Sequence, residues 1–207
     1  STFILGLEAI KRGFELYFYS PSDLIYKNNN VYAKAKILDL AFENGKEIFN
    51  YGKMKILKLS SLDIILMRQD PPFNMSYITA THILEKIASQ TLILNNPFHV
   101  RNAPEKIFVT EFSKFMPETL ITRETNEIIK FKSKNKNIII KPLYGNGGEG
   151  VFYIKDNDSN FNVIIENFLN SNKEQFIIQS YIPEVKKGDK RIILIDGEVV
   201  GAINRIP

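Results

Sequence analysis

Cysteine is absent from the 207 residues, which excludes disulfides, thiolate nucleophiles and cysteine-ligated zinc within this stretch. Histidine is nearly absent: His82 and His99 do not form a metal-ligand pair, and each reads as a helix or loop histidine, so a metal here would have to sit on oxygens. No run of about eighteen apolar residues occurs. The opening STFILGLEAIKRGFELYFYS carries Glu8, Lys11, Arg12 and Glu15, unlike a signal peptide or a membrane span. The expectation is a soluble, cytoplasmic protein with no membrane partner. A dominant sign of charge is also missing. The net charge is only +4, and Lys and Arg are interleaved with Asp and Glu, so nucleic acid is not expected as a partner. The densest basic run, VKKGDKR at 185–191, reads by itself as a solvated turn.

What is present is a globular composition, 44% hydrophobic and 12% aromatic, enough for one large domain or two small ones with real cores. The chain begins without methionine and ends on AINRIP, so it is expected to be an internal piece of a longer protein. Phe3, Ile4, Leu7 and Ile10 recur at helical spacing, Gly13 suits a left-handed helix end, and FELYFY reads as a strand. VYAKAKIL (31–38) alternates as a strand with one wet face, whereas LDIILM (62–67) is a continuous apolar run expected to be buried on both sides of a parallel sheet. A helix over 77–88 and the short strand TLIL (91–94) complete a strand–helix–strand layer.

NAPEK (102–106) places Asn102 as N-cap and Glu105 at N3 of a helix predicted to run to Phe115, with Lys106 on its first turns. A short strand at 119–122, a helix from Glu124, the strand NIIIK, a glycine loop, the strand VFYI, a helix near 160–170 and the strand EQFIIQ follow. RIILIDGEVVGAINR reads as two strands about the turn Asp196–Gly197.

The loop in IIIKPLYGNGGEGVF (138–152) decides the chemistry. Gly145, Gly147 and Gly150 formally satisfy the dinucleotide fingerprint, but that device needs a helix to begin at the loop, and VFYI follows instead. No Gly-Lys-Ser/Thr is present for a Walker loop, and Lys141 precedes the loop, unlike the lysine of a protein kinase. Strand, glycines, strand describes a hairpin flap whose bare backbone can close over phosphates and offer N–H donors. Two readings of Lys141 stand: an edge lysine snorkelling to water, or a cation paired with phosphate. A phosphate about 4 Å away would return roughly 4 kcal/mol at an effective dielectric near 20. Lys106, on a separate element, favours the second.

With these stretches in hand, the chain resembles the bacterial type of glutathione synthetase, a member of the ATP-grasp ligases. The resemblance is carried by DIILMRQDPPF (63–73), EKIFVTEFSKFMPETLITR (105–123), the glycine loop, QSYIP (179–183), GDKRIILIDGEVV (188–200) and NRIP (204–207). It implies an α/β fold, α+β in the ATP-binding part, of ATP-grasp architecture with an N-terminal Rossmann-like substrate domain. The expected domains are a substrate domain over 1–101, a central ATP-grasp lobe over 102–182 and the start of a C-terminal lobe over 183–207. It further implies ATP-dependent joining of γ-glutamylcysteine and glycine through an acyl phosphate, with ADP and phosphate released, and a homo-oligomeric, tetrameric assembly. A different ATP-grasp carboxylate-amine ligase and a non-catalytic nucleotide-binding regulatory protein are the alternatives.

Position by position, the resemblance makes Lys106 and Lys141 nucleotide-phosphate lysines and Gly145, Asn146, Gly147 and Gly148 the flap. Gln179, Tyr181 and Ile182 would line the adenine, mainly through backbone groups, and Asp189 would contact the ribose. Arg191 and Arg205 become the catalytic arginines that steady the transferring phosphoryl group and the acyl phosphate. Arg68 and Asp70 are substrate candidates, with a turn locked by Pro71 and Pro72 the equal alternative. Mg²⁺ is implied as cofactor, with its ligands expected beyond residue 207 and none assigned here. Glu149 and Asp196 read as a solvent-facing residue and a turn residue. These residues alone are therefore expected to be inactive.

Overall fold

The computed structural model of the protein describes residues 2–171 and 173–206; Pro207, the last residue of the NRIP stretch, lies outside the described residues. The chain divides into two compact units, Ser1–Phe108 with Tyr144–Asn146, and Val109–Leu143 with Gly147–Pro207.

In the first unit, α1 (Thr2–Lys11) ends at Gly13, whose φ of +84° is the left-handed stop its sequence position suggested. The strands β1 (Leu16–Phe18), β2 (Leu24–Lys27), β3 (Asn30–Glu43) and β4 (Lys46–Lys58) follow. β3 is the spine of an antiparallel sheet: β2 pairs with its first residues, β1 with Lys36–Leu38, and β4 with nearly its whole length. The wet-face alternation of VYAKAKIL holds, with Val31, Ala33 and Ala35 buried and Lys34 and Lys36 exposed. β4 has no counterpart in the sequence reading. Its turn, Asn44–Gly45, has both residues at positive φ (51° and 76°), the geometry that matches strand twist in a two-residue hairpin. At Gly52 in mid-strand a Cβ would lie 3.2 Å from Ile37 Cβ, a close approach where the β3–β4 register shifts.

β5 (Ile64–Leu66) and β6 (Leu92–Leu94) pair in parallel around the crossover helix α2 (Met75–Glu85), whose first turn Asn74 caps by accepting from Tyr77 N (3.1 Å). The strand–helix–strand expectation is met in order, but burial on both sides is not. Ile65 and Ile93 are buried at 4% and 5%, while Ile64, Leu66, Leu92 and Leu94 are 43–54% exposed. One face packs on the cluster of Val31, Leu59, Leu84 and Ile87; the other is open.

The helix expected over 102–115 is also corrected. α3 (Pro97–Asn102) starts earlier, with Asn96 capping Phe98 N (2.9 Å) and Pro97 in the first turn, and Asn102 is its last residue, donating back to Phe98 O. Pro104 disfavours helical geometry in the residue before it. The chain then restarts as the single turn α4 (Glu105–Phe108) and passes into a 3₁₀ segment, Val109–Phe115, broken at Phe112. Arg101 of α3 reaches back to α2, donating to Glu85 Oε2 (2.8 Å) and Thr81 Oγ1 (3.3 Å). The guanidinium holds the Glu85 carboxyl below the usual glutamate range.

The second unit contains β7 (Thr119–Thr122), α5 (Thr125–Asn135), β8 (Ile138–Pro142), β9 (Phe152–Ile154), α6 (Phe161–Ser171) and β10 (Phe176–Ser180), with the antiparallel sheet ordered β7-β10-β8-β9. Period-two alternation sends Ile138, Ile140, Ile154, Phe176 and Ile178 to one face, where Ile128 and Phe131 of α5 and Ile165 and Phe168 of α6 cover them. Each such isoleucine or phenylalanine contributes about 1.5–3 kcal/mol of burial. A 3₁₀ turn, Pro183–Lys187, then leads to the ribbon β11 (Asp189–Ile195) and β12 (Glu198–Arg205), turned at Asp196 and Gly197 with φ of 50° and 83°.

Candidate functional site

The same alternation that builds the core of the second unit assigns the residues of its other face. Lys141, Ile139, Ile177, Gln179, Thr119, Ile121 and Tyr153 alternate with the core residues, and strand pairing puts Gln179, Ile139 and Tyr153 in one row across β10, β8 and β9. Ile177 is its neighbour along β10 and pairs with Lys141. The face thus carries a half-buried lysine at the loop end, a half-buried amide at the other and Ile139 between them, with Ile177 itself buried at 1%. Gln179 Nε2 donates to Thr119 Oγ1 (2.9 Å), which fixes the amide's orientation. A flat aromatic group suits such a face, and an anion suits its lysine end.

β8 and β9 are joined by the glycine loop as a hairpin, so the strand–loop–strand expectation is met and no helix starts at the loop as a dinucleotide fingerprint requires. Gly147 and Gly148 have φ of +65° and +82°, a conformation that side-chain-bearing residues adopt only with strain, and it frees the main chain there to present N–H groups. Glu149 is exposed in this loop.

Beyond β10 the main chain is held by its own hydrogen bonds. Ser180 N donates to Glu118 O (3.0 Å) and Tyr181 N to Asn137 O (3.0 Å). Because the Tyr181 N–H is committed to Asn137, recognition of a base by this segment would draw on the Tyr181 carbonyl and the main chain of Ile182. The Ile182 side chain is exposed.

The ribbon brings three candidates to one face. Asp189 pairs in register with Arg205, and Arg191 with Ile203, so Asp189, Arg191 and Arg205 project on the same side. Arg205 forms an ion pair with Asp189 through Nη2, and Nε also donates to the same carboxylate at 3.0 Å. The sequence reading gave these two separate ligands; the structure shows them paired with each other.

In the first unit, Lys106 stands on the single turn of α4 and donates from Nζ to Gly145 O at 3.0 Å. Burial holds its pKa below the ordinary lysine value, with the charge of Glu105 opposing. The preceding loop residue, Tyr144, stacks on Phe73 with ring centres 6.3 Å apart and planes at 18°. Phe73 also meets Tyr77 at 5.1 Å. Loop residues 144 and 145 are therefore held by an aromatic from the MRQDPPF stretch and by the candidate phosphate lysine. Phe73 and Tyr144 were not singled out from sequence; an aromatic within each motif stretch was the available signal. Arg68 donates from Nε to Thr2 Oγ1 (3.2 Å). The Tyr77 hydroxyl is pushed up in pKa by burial and by the charge of Asp70. Lys106 and Lys141 belong to different units.

Among the described residues there is no group of three or more His, Cys, Asp or Glu side chains that could hold a metal ion. Nor is any helix there long and apolar enough to cross a membrane.

Comparison with known proteins gives this geometry a lineage. Residues 1–101 match the family model of the prokaryotic glutathione synthetase N-terminal domain, and residues 105–207 that of the prokaryotic glutathione synthetase ATP-grasp domain. The glutathione synthetase of Agrobacterium fabrum is 49% identical over 207 residues, all of this chain and 65% of that protein. That of Brucella melitensis is 50% identical over all of this chain and 66% of its own length. The chain thus spans just under two thirds of the length of these relatives. The crystal structure of D-alanyl-alanine synthetase A from Vibrio cholerae superposes with a TM-score of 0.58 over the whole chain and 62% of that protein, at 13% identity, a likeness of fold. Two domain models matched in order along nearly every residue, on an α/β fold of ATP-grasp type, show that the chain belongs to the prokaryotic glutathione synthetase family.

Proposed function

We propose that the protein carrying this chain joins γ-glutamylcysteine to glycine at the expense of ATP. The observation that carries the reading is the pair of in-order domain matches over residues 1–101 and 105–207. The β8 face ending in Lys141 and the glycine loop that follows it in the chain support the nucleotide part. ATP supplies the phosphoryl group that turns the cysteinyl carboxylate into an acyl phosphate. The glycine amine then attacks the acyl carbon, the C–N bond forms, the bond to phosphate breaks, and the amine loses a proton.

This chain's residues have binding and positioning roles in that sequence. The face at Ile139 takes the adenine, the main chain at Tyr181–Ile182 reads its edge, and Asp189 accepts from the ribose. Lys141 and Lys106 are each assigned a phosphate-binding role, and the glycine loop offers main-chain N–H groups. For Lys106, a phosphate oxygen replaces the Gly145 carbonyl, because charge–charge attraction is added to a bond in which only the donor was ionised. Arg191 and Arg205 neutralise charge on the transferring group, which requires Arg205 to turn from Asp189. Arg68 and Asp70 face the peptide substrate. No ligand for Mg²⁺ is assigned in this chain, and no step is drawn through one.

Phosphate release by the full-length protein with ATP, Mg²⁺ and γ-glutamylcysteine tests the reading. Release should depend on both the dipeptide and glycine and should yield glutathione. Equal turnover with another amine would assign a different carboxylate-amine ligase, and nucleotide binding without turnover would leave a regulatory protein.

A further inference from the structure

The segment that leaves β10 has no sheet partner beyond the pairing of Ser180 with Ile138, and the next turn begins only at Pro183. Besides the bond from Tyr181 N to Asn137 O, what packs on Tyr181 lies on β9. Tyr153 and Tyr181 stack with ring centres 4.2 Å apart and planes at 30°. They belong to the two chain segments flanking β8, about 9–10 Å apart across two strand spacings, so the rings must reach over β8 to meet. Beneath them is Asn137, which binds both partners: its main-chain carbonyl accepts from Tyr181 N at 3.0 Å and its Oδ1 accepts from the Tyr153 hydroxyl at 3.4 Å.

Tyr153 is not part of the core. Its neighbours Phe152 and Ile154 point to the helices, where Phe152 packs edge-on against Phe168 at 5.8 Å and Ile154 is fully buried. Tyr153 projects from the opposite face, in one row with Ile139 and Gln179, and remains 39% exposed. An aromatic placed there adds little to the core, but it sets the height and direction at which the chain leaves the sheet.

We propose that Tyr153 is a positioning residue for base recognition: by stacking on Tyr181 above Asn137 it fixes the main chain of residues 181–182 at the edge of that face. This rests on the nucleotide site proposed above. Tyr153 acts through Tyr181, so its loss should displace the groups that read the base and leave those that hold the phosphates. Base recognition depends on fixed donors and acceptors, and misplacing them weakens discrimination as well as affinity.

The test is made on the full-length protein, with ATP, GTP and inorganic tripolyphosphate as probes. Tyr153→Ala should weaken ATP binding about three- to tenfold, the range expected for losing an aromatic pair. It should raise KM for ATP with kcat nearly unchanged, narrow the preference for ATP over GTP, and leave tripolyphosphate affinity as it was. Tyr153→Phe keeps the ring and loses only the long bond to Asn137, so it should restore wild-type behaviour. Should Tyr153→Ala fold poorly, Tyr181→Leu removes the other half of the stack and should give the same pattern. Adding Tyr153→Phe to Tyr181→Leu should then cost nothing more. Equal weakening of ATP and tripolyphosphate, or an unchanged ATP affinity, would overturn the inference. A wild-type protein that bound neither nucleotide would overturn the site reading beneath it, and the wild-type arm shows that separately.

Discussion

Two stretches of the second unit read almost alike in sequence and fare differently in the fold. NIIIK in β8 and RIILI in β11 are both runs of isoleucine or leucine beside a lysine or arginine, and both form antiparallel strands. Ile138 and Ile140 are fully buried, whereas Ile192, Ile193, Leu194 and Ile195 are each 49–59% exposed. The contrast shows that hydrophobicity assigns a strand without assigning a core. β8 is covered because α5 and α6 lay Ile128, Phe131, Ile165 and Phe168 across it. The ribbon β11–β12 is open on both faces and carries Asp189, Arg191 and Arg205 together on one of them. Within these residues the sheet holds the buried apolar contacts, and the ribbon has no covering layer among the described residues.

Mutations can separate these roles. The largest effect should come from Phe176→Ala, at the centre of the sheet core with no exposed surface; it should cost about 3–5 kcal/mol by urea denaturation. Next, in the full-length protein, Arg191→Ala on the ribbon should lower kcat about 10²–10³-fold, the range for removing one charge-stabilising donor, with the denaturation midpoint unchanged. A midpoint that moved with kcat would make the ribbon structural after all. A smaller effect, about 1–3 kcal/mol, is expected for Lys132→Ala. Lys132 is a buried side chain of α5 whose Nζ donates to Asp156 O at 2.7 Å, tying the helix to the loop after β9. Smallest of all, Ile193→Ala in the ribbon should change stability by no more than about 0.5 kcal/mol. A loss comparable to that of Phe176→Ala would show the ribbon to be covered in solution.

Local rules carried much of the reading. Asp196–Gly197 announced its hairpin, and VFYI after the glycines excluded a helix-start nucleotide site, because both signals act over neighbouring residues. β4 escaped because its four lysines and Gly52 weaken strand propensity. Its partner β3 stabilises it, and Asn44–Gly45 was the turn signal available. The helix over 102–115 was misplaced because Asn-Pro at 96–97 and Asn-Ala-Pro at 102–104 both resemble helix starts, and only the first is one. The expected double burial of β5 and β6 failed because an apolar run does not state how many layers will cover it.

At the candidate site, Lys106, Lys141, the flap glycines and the ribbon arginines were legible as residue types beside motifs. Their contacts were not: the Lys106–Gly145 bond, the Arg205–Asp189 pair and the Tyr153–Tyr181 stack each join residues at least 16 positions apart.

The sequence by itself determined most of the strands, the Asp196–Gly197 turn and the left-handed stop at Gly13, because these follow from steric limits and side-chain period over a few consecutive residues, and its motifs carried the family resemblance. The tertiary structure alone decided which apolar strands are covered, which cation meets which acceptor, and that two tyrosines arch over Asn137. Those outcomes depend on desolvation and contact between segments far apart in the chain, and no local pattern encodes where such segments come to rest.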